Sequence, residues 1–227
     1  MKQLLKTTIV IAMLLVAVAA NATSYNLADL ISGGGVVDFG DKEFSGFGWT
    51  TASGISASGI VVTPSLDPTD SQVYLLQFAG GMTATAGQTV DIVLTYNVKT
   101  ISGLPLINMI DQQYTLGGGT GTINIGETVR SGASPFSPVV AQSTLTATHL
   151  TSPPATIAGD NLNFSPLPQV WVSKDIFLQA TNTVGNSVGA TSIIQSFHQV
   201  GVPDGGTTVV LLGAALSGLA LLRRKLA

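Results

Sequence analysis

The chain has 227 residues and no cysteine. That excludes disulfide staples, thiolate metal sites and any thiol nucleophile, so an exported domain built from it must rely on its apolar core and hydrogen-bonded sheets. Histidine is nearly as scarce, with His149 and His198 alone, and charged side chains make up only 9% of the chain. Cations are scarcest in the middle. Lys2, Lys6, Arg223, Arg224 and Lys225 lie in the terminal segments, and residues 23–202 keep only Lys42, Lys99, Arg130 and Lys174 against eleven acidic residues, a balance of −7. A sparse, acidic surface offers no cationic stripe to neutralise phosphates, which excludes nucleic acid as a partner. A sustained helical period is also missing; only residues 25–31, with Leu27, Leu30 and Ile31 three and four apart, predict a helical turn.

The two ends carry what the middle lacks. Lys2 and Lys6 precede a twelve-residue apolar run, 9–20, and Ala20-Asn21-Ala22 offers small residues for cleavage. This is the pattern of a secretory signal peptide spanning residues 1–22, with Ala17-Val18-Ala19 as an alternative cleavage site. At the other end, Pro203-Asp204-Gly205-Gly206 runs into an uncharged stretch, 207–222, closed by the basic tail 223–227 with Arg223, Arg224 and Lys225. Sixteen such residues make about 24 Å of helix at ~1.5 Å per residue, short of the ~30 Å hydrocarbon core. Thinning of the bilayer and snorkelling of the cations cover the difference, so a transmembrane helix over 207–222 is predicted. The cations hold this end in the cytoplasm by the positive-inside rule and leave Pro203 to Gly206 on the outer face.

The order of short motif, span and basic end resembles the C-terminal sorting signals of the PEP-CTERM class, closest to the Val-Pro-Asp-Ser/Gly-Gly variant. Here it reads Val202, Pro203, Asp204, Gly205, Gly206, Thr207, departing from the commoner Pro-Glu-Pro. The resemblance implies recognition by an exosortase, a membrane transpeptidase, which removes the helix and passes the protein onward. It also implies transient anchoring in the inner membrane, followed by the cell surface or an extracellular matrix. Physics alone supplies the anchor; the cleavage comes only from the resemblance. In the body, Phe39-Gly40-Asp41-Lys42-Glu43-Phe44-Ser45-Gly46-Phe47, Gln77-Phe78-Ala79-Gly80-Gly81-Met82 and Val172-Ser173-Lys174-Asp175-Ile176 are similar to segments of PEP-CTERM cargo proteins, which carry no assigned activity.

Residues 23–200 read as strands throughout and predict an all-β ectodomain, a single antiparallel β-sandwich large enough to bury roughly 70% of its unfolded-chain surface. Segment 89–99 alternates most clearly: Val90, Ile92, Leu94, Tyr96 and Val98 share one face and mostly polar residues the other. Further strands are predicted at 36–39, 43–47, 60–63, 73–78, 106–116, 120–125, 144–150, 170–178 and 190–200, with Pro64 to Pro68 read as a connection.

Candidate chemistry is thin. Asp38, Asp41 and Glu43 crowd the first hairpin, and such oxygen ligands suit Ca²⁺, but the regular spacing of a calcium loop is missing and a solvated turn is the simpler reading. Asp67 and Asp70 read as turn residues bonding their own backbone. His149 and His198, 49 residues apart, read as strand histidines rather than metal ligands. Gly185-Asn186-Ser187-Val188-Gly189 matches a nucleophile elbow in letters only, because a strand-like run follows where a helix is needed. Trp49 and Trp171, with Tyr25, Tyr74, Tyr96 and Tyr114, could stack sugars, although aromatics in strands usually belong to the core. The expectation is therefore a non-enzymatic exported protein of the surface or exopolysaccharide matrix, needing no metal or other cofactor. A carbohydrate-binding module is the alternative, and a secreted hydrolase with two facing carboxylates comes last.

Overall fold

The computed structural model describes residues 23–102, 105–148, 155–200 and 212–213. The predicted signal peptide with Ala20 and Ala22, His149, the sorting motif Val202 to Thr207 and the basic tail lie outside them, as does all but residues 212–213 of the predicted span. Among the described residues no helix is long and apolar enough to cross a membrane.

Strand β1 (Tyr25–Asn26) leads into α1 (Leu27–Ser32), where the Asn26 side chain caps the helix by accepting the Ala28 N–H at 2.9 Å. The hairpin β2 (Val37–Phe39) and β3 (Lys42–Thr51) turns at Gly40, which sits at φ +62°. There follow β4 (Ile60–Leu66), β5 (Tyr74–Thr85), β6 (Thr89–Thr100), β7 (Leu106–Gly118), β8 (Gly121–Ser131) and β9 (Val139–Thr148). The last four are β10 (Ala155–Ala158), β11 (Leu162–Leu167), β12 (Gln169–Ala180) and β13 (Ser187–Val200).

All described pairings are antiparallel, in two sheets. One runs β1-β4-β5-β13-β7-β10, with β11 beside β10 along the same edge of β7; the other runs β2-β3-β6-β12-β8-β9. Alternation along each strand sends one set of side chains into the space between the sheets: Val90 to Val98 from β6, Val170 to Leu178 from β12, and Val188, Ala190, Ile193 and Phe197 from β13. Near one end the core is aromatic. Phe78, Phe197 and Phe47 surround Tyr96 at ring separations of 5.4, 6.3 and 6.3 Å, and Phe44 meets Phe197 at 5.4 Å.

The all-β, two-sheet expectation stands, and several boundaries need correction. Pro64 lies inside β4, opposite Leu76, rather than in a connection. Its other flank is free because β1 reaches only Val61 and Val62, so the missing N–H breaks no ladder. Strand β8 runs to Ser131 and β9 starts at Val139, both beyond the predicted 120–125 and 144–150, and β10 and β11 were not predicted. Ser187 begins β13 directly after a turn, so the Gly-x-Ser-x-Gly match lies where the chain crosses from β12 in one sheet to β13 in the other, with no helix following; Asn186 ties that connection down by donating to the Thr120 carbonyl at 2.6 Å.

Candidate functional site

Two of the three acids of the first hairpin, Asp41 and Glu43, are engaged by lysines. Asp38 is exposed opposite Glu43, Asp41 Oδ1 is 2.6 Å from Lys42 Nζ, and Glu43 Oε2 is 2.8 Å from Lys99 Nζ. Lys42 is fully buried, its ammonium 4.7 Å from the centre of the Tyr74 ring, and burial pulls it below the ordinary lysine range. Among the described residues no group of three His, Asp or Glu is placed to hold a metal ion. Asp67 accepts from the backbone N–H groups of Thr69 at 2.7 Å and Asp70 at 3.2 Å, the turn role expected of it. His198 lies on the outer face of its sheet with Nε2 2.6 Å from Asp111 Oδ2.

The two tryptophans separate. Trp49 packs against the core and its indole N–H donates to the Ile55 carbonyl at 2.9 Å. Trp171 projects from the opposite face of the β12 sheet and is half-buried, level with Asn97 on β6 and Arg130 on β8. Beside it, over β12, β8 and β9, runs a shallow polar cleft of about 540 Å³ lined by Ser173, Asp175, Thr128, Gln142 and Thr144. Gly126, opposite both Asp175 and Thr144, leaves its floor low. Asp175 shares a hydrogen bond with Asp91, and its carboxyl is raised by partial burial first and by the Asp91 charge second.

The most unusual chemistry lies between the sheets and was not singled out from sequence. Lys174 and Glu127 face each other across β12 and β8, both wholly buried, with Nζ 2.7 Å from Oε2. Lys174 Nζ also donates to the Gln112 amide oxygen at 2.8 Å and to Tyr114 Oη at 3.0 Å, both reaching across from β7. Gln195 on β13 accepts from Tyr96 Oη at 2.9 Å and donates to the Asp111 carbonyl at 3.1 Å and to Glu127 Oε2 at 3.4 Å. Gln112 Nε2 donates to Ser143 Oγ on β9 at 2.6 Å. Glu127 Oε1 finds no hydrogen-bond partner among the described residues. Burial dominates both ionisable groups, pushing the Glu127 carboxyl up and the Lys174 ammonium down while their mutual attraction opposes it. A signal was present in the sequence: Glu127 and Lys174 occupy inward positions in otherwise apolar alternations, Ile123-Ile125-Glu127-Val129 and Val170-Val172-Lys174-Ile176.

Residues 201–226 match the family pattern described as the VPDSG-CTERM motif, a PEP-CTERM-like C-terminal sorting signal, which marks the chain as exported and surface-directed. No curated protein matches the chain. Among solved structures it is similar to an arabinose-bound α-L-arabinofuranosidase (14% identity, TM-score 0.28, 65% of this chain and 23% of the other). It is also similar to a structure of infectious bursal disease virus, Gx strain (16%, TM-score 0.36, 63% and 39%). A third is a carbohydrate-binding module of Cellvibrio mixtus lichenase 5A in complex with cellotriose (16%, TM-score 0.29, 63% and 89%). The chain thus spans well under half of the first two, and likenesses at this level carry no functional weight.

Proposed function

We propose that this is a non-enzymatic exported protein whose β-sandwich is delivered to the cell surface or extracellular matrix by an exosortase-type transpeptidase. The observation that carries this reading is the sorting signal at 201–226. Pro203 restricts its own φ and disfavours helix in Val202, a sequence preference that suits recognition of the motif by a transpeptidase. The apolar stretch beyond is then a temporary tether. Strand β13 ends at Val200, so almost no spacer separates the folded domain from the motif.

The test replaces Pro203 and Asp204 together by Ala in the native host. Span and cations are untouched, so insertion persists while processing stops, and a longer membrane-bound form accumulates. Unchanged size and location in the double variant would leave a permanent anchor as the better account.

A second reading, glycan binding on the outer face of the β12 sheet, is favoured by the outward, half-buried Trp171 beside the polar cleft. Retardation of the protein in gels containing its host's exopolysaccharide, lost in Trp171→Ala, supports it; equal mobility of the two proteins refutes it.

A further inference from the structure

We propose that Lys174 and Gln112 form an intramolecular isopeptide bond that joins the two sheets, with Glu127 as the proton carrier. This goes beyond the sorting reading and does not depend on it. The reacting groups are already in place. Lys174 Nζ lies 2.8 Å from the Gln112 amide oxygen, so the amide carbon is at most one C=O bond, ~1.2 Å, farther. The same nitrogen lies 2.7 Å from Glu127 Oε2, and all three side chains are at least 97% buried. A site this dry favours the neutral pair, amine and carboxylic acid, over separated charges, which supplies the free lone pair that an ammonium lacks. Holding nucleophile and electrophile together in that state removes most of the entropic barrier to an otherwise slow amide exchange.

The step balances without any co-reactant. The Lys174 lone pair attacks Cδ of Gln112, and the C–O π electrons move to oxygen. The Glu127 carboxyl gives its proton to the departing nitrogen, which Ser143 Oγ holds in place by accepting its hydrogen bond at 2.6 Å. The carboxylate so formed takes one proton from the newly bonded Nζ. The Cδ–Nε2 bond then breaks, the carbonyl reforms, ammonia leaves, and Glu127 ends as it began, a neutral acid. An exit is available, because a small void of about 40 Å³ beside Gln112, Tyr114 and Ser143 opens toward Gly159 and Asp160 at the edge of the sandwich. The product replaces the buried, titratable amine of Lys174 by a neutral amide that cannot charge.

The experiment is intact-mass spectrometry of the denatured full chain, with its termini assigned by peptide mapping, after folding has been checked by circular dichroism. The expected mass is one ammonia below that of the sequence between those termini. Trypsin should fail to cut after Lys174 and should release the peptide containing Gln112 joined to the one containing Lys174. Glu127→Gln should restore the full mass and the cut. Full mass with ordinary cleavage after Lys174 in the folded wild type overturns the proposal. Loss of one water with a link to Glu127 overturns Gln112 as the acceptor, and a cross-linked Glu127→Gln variant overturns Glu127 as the proton carrier.

Discussion

Tyr96 shows how much a single hydroxyl can matter when no water reaches it. Its ring fills the aromatic end of the core, and its Oη satisfies the amide oxygen of the buried Gln195. Tyr96→Phe keeps the packing and orphans that oxygen, so stability should fall by about 1–3 kcal/mol, read from urea unfolding midpoints. Asp175 makes the opposite case on the outer surface. Its carboxyl is raised in the folded state, by partial burial and by Asp91, so its ionisation opposes folding. Stability is full below the ordinary aspartate range and declines as pH rises through the raised folded value. Asp175→Asn should therefore raise the melting temperature at pH 7, and the difference should vanish at pH values below the ordinary aspartate range. A melting temperature for Asp175→Asn that tracks the wild type across that range would refute the assignment.

Among the elements, legibility followed alternation. Strand β6 was readable almost to the residue because its inner and outer sets differ sharply in polarity. Strand β9 was only half readable, because its inner face offers Ala141, Ser143, Leu145 and Ala147, small and mixed, as an edge strand allows. Pro64 argued against a strand that exists because it lies where no second neighbour needs its N–H. The buried Lys174–Glu127 contact joins residues 47 apart in sequence, and only the inward phase of each pointed to it. Glycine decides how closely β7 and β13 can approach. Gly118 has φ +135°, and an added Cβ would lie 2.2 Å from the Ser187 carbonyl oxygen and 2.6 Å from Val188 Cα, both backbone. Gly118→Ala should push the strands apart and lower the melting temperature by well over 4 °C, the response to about 1 kcal/mol in a domain this size. Gly34→Ala, with φ +59° and open space around it, should cost only the left-handed penalty of roughly 1–2 kcal/mol. Scanning calorimetry of the pair checks the order.

At the scale of the whole molecule, the described strands close two sheets over one continuous apolar core, and Asp41 and Glu43 of the first hairpin are matched to lysines. Residues 23–200 expressed alone should fold as a soluble all-β domain, and a circular dichroism spectrum dominated by helix would contradict this. Its melting temperature should move by less than ~5 °C on adding chelator; a larger fall would reinstate Asp38, Asp41 and Glu43 as a cation site.

The last two strands, β12 and β13, lie at the middle of their sheets: β12 between β6 and β8, β13 between β5 and β7. Neither sheet can close until its final member arrives, and β13 must find β5 across more than a hundred intervening residues. Pairings so distant in sequence form slowly. A polypeptide threading a secretion channel from its amino end therefore stays unfinished, and easily threaded, until the segment just before the tail has crossed. Completion of the fold and emergence of the sorting signal at residues 201–226 are thereby timed to the same moment.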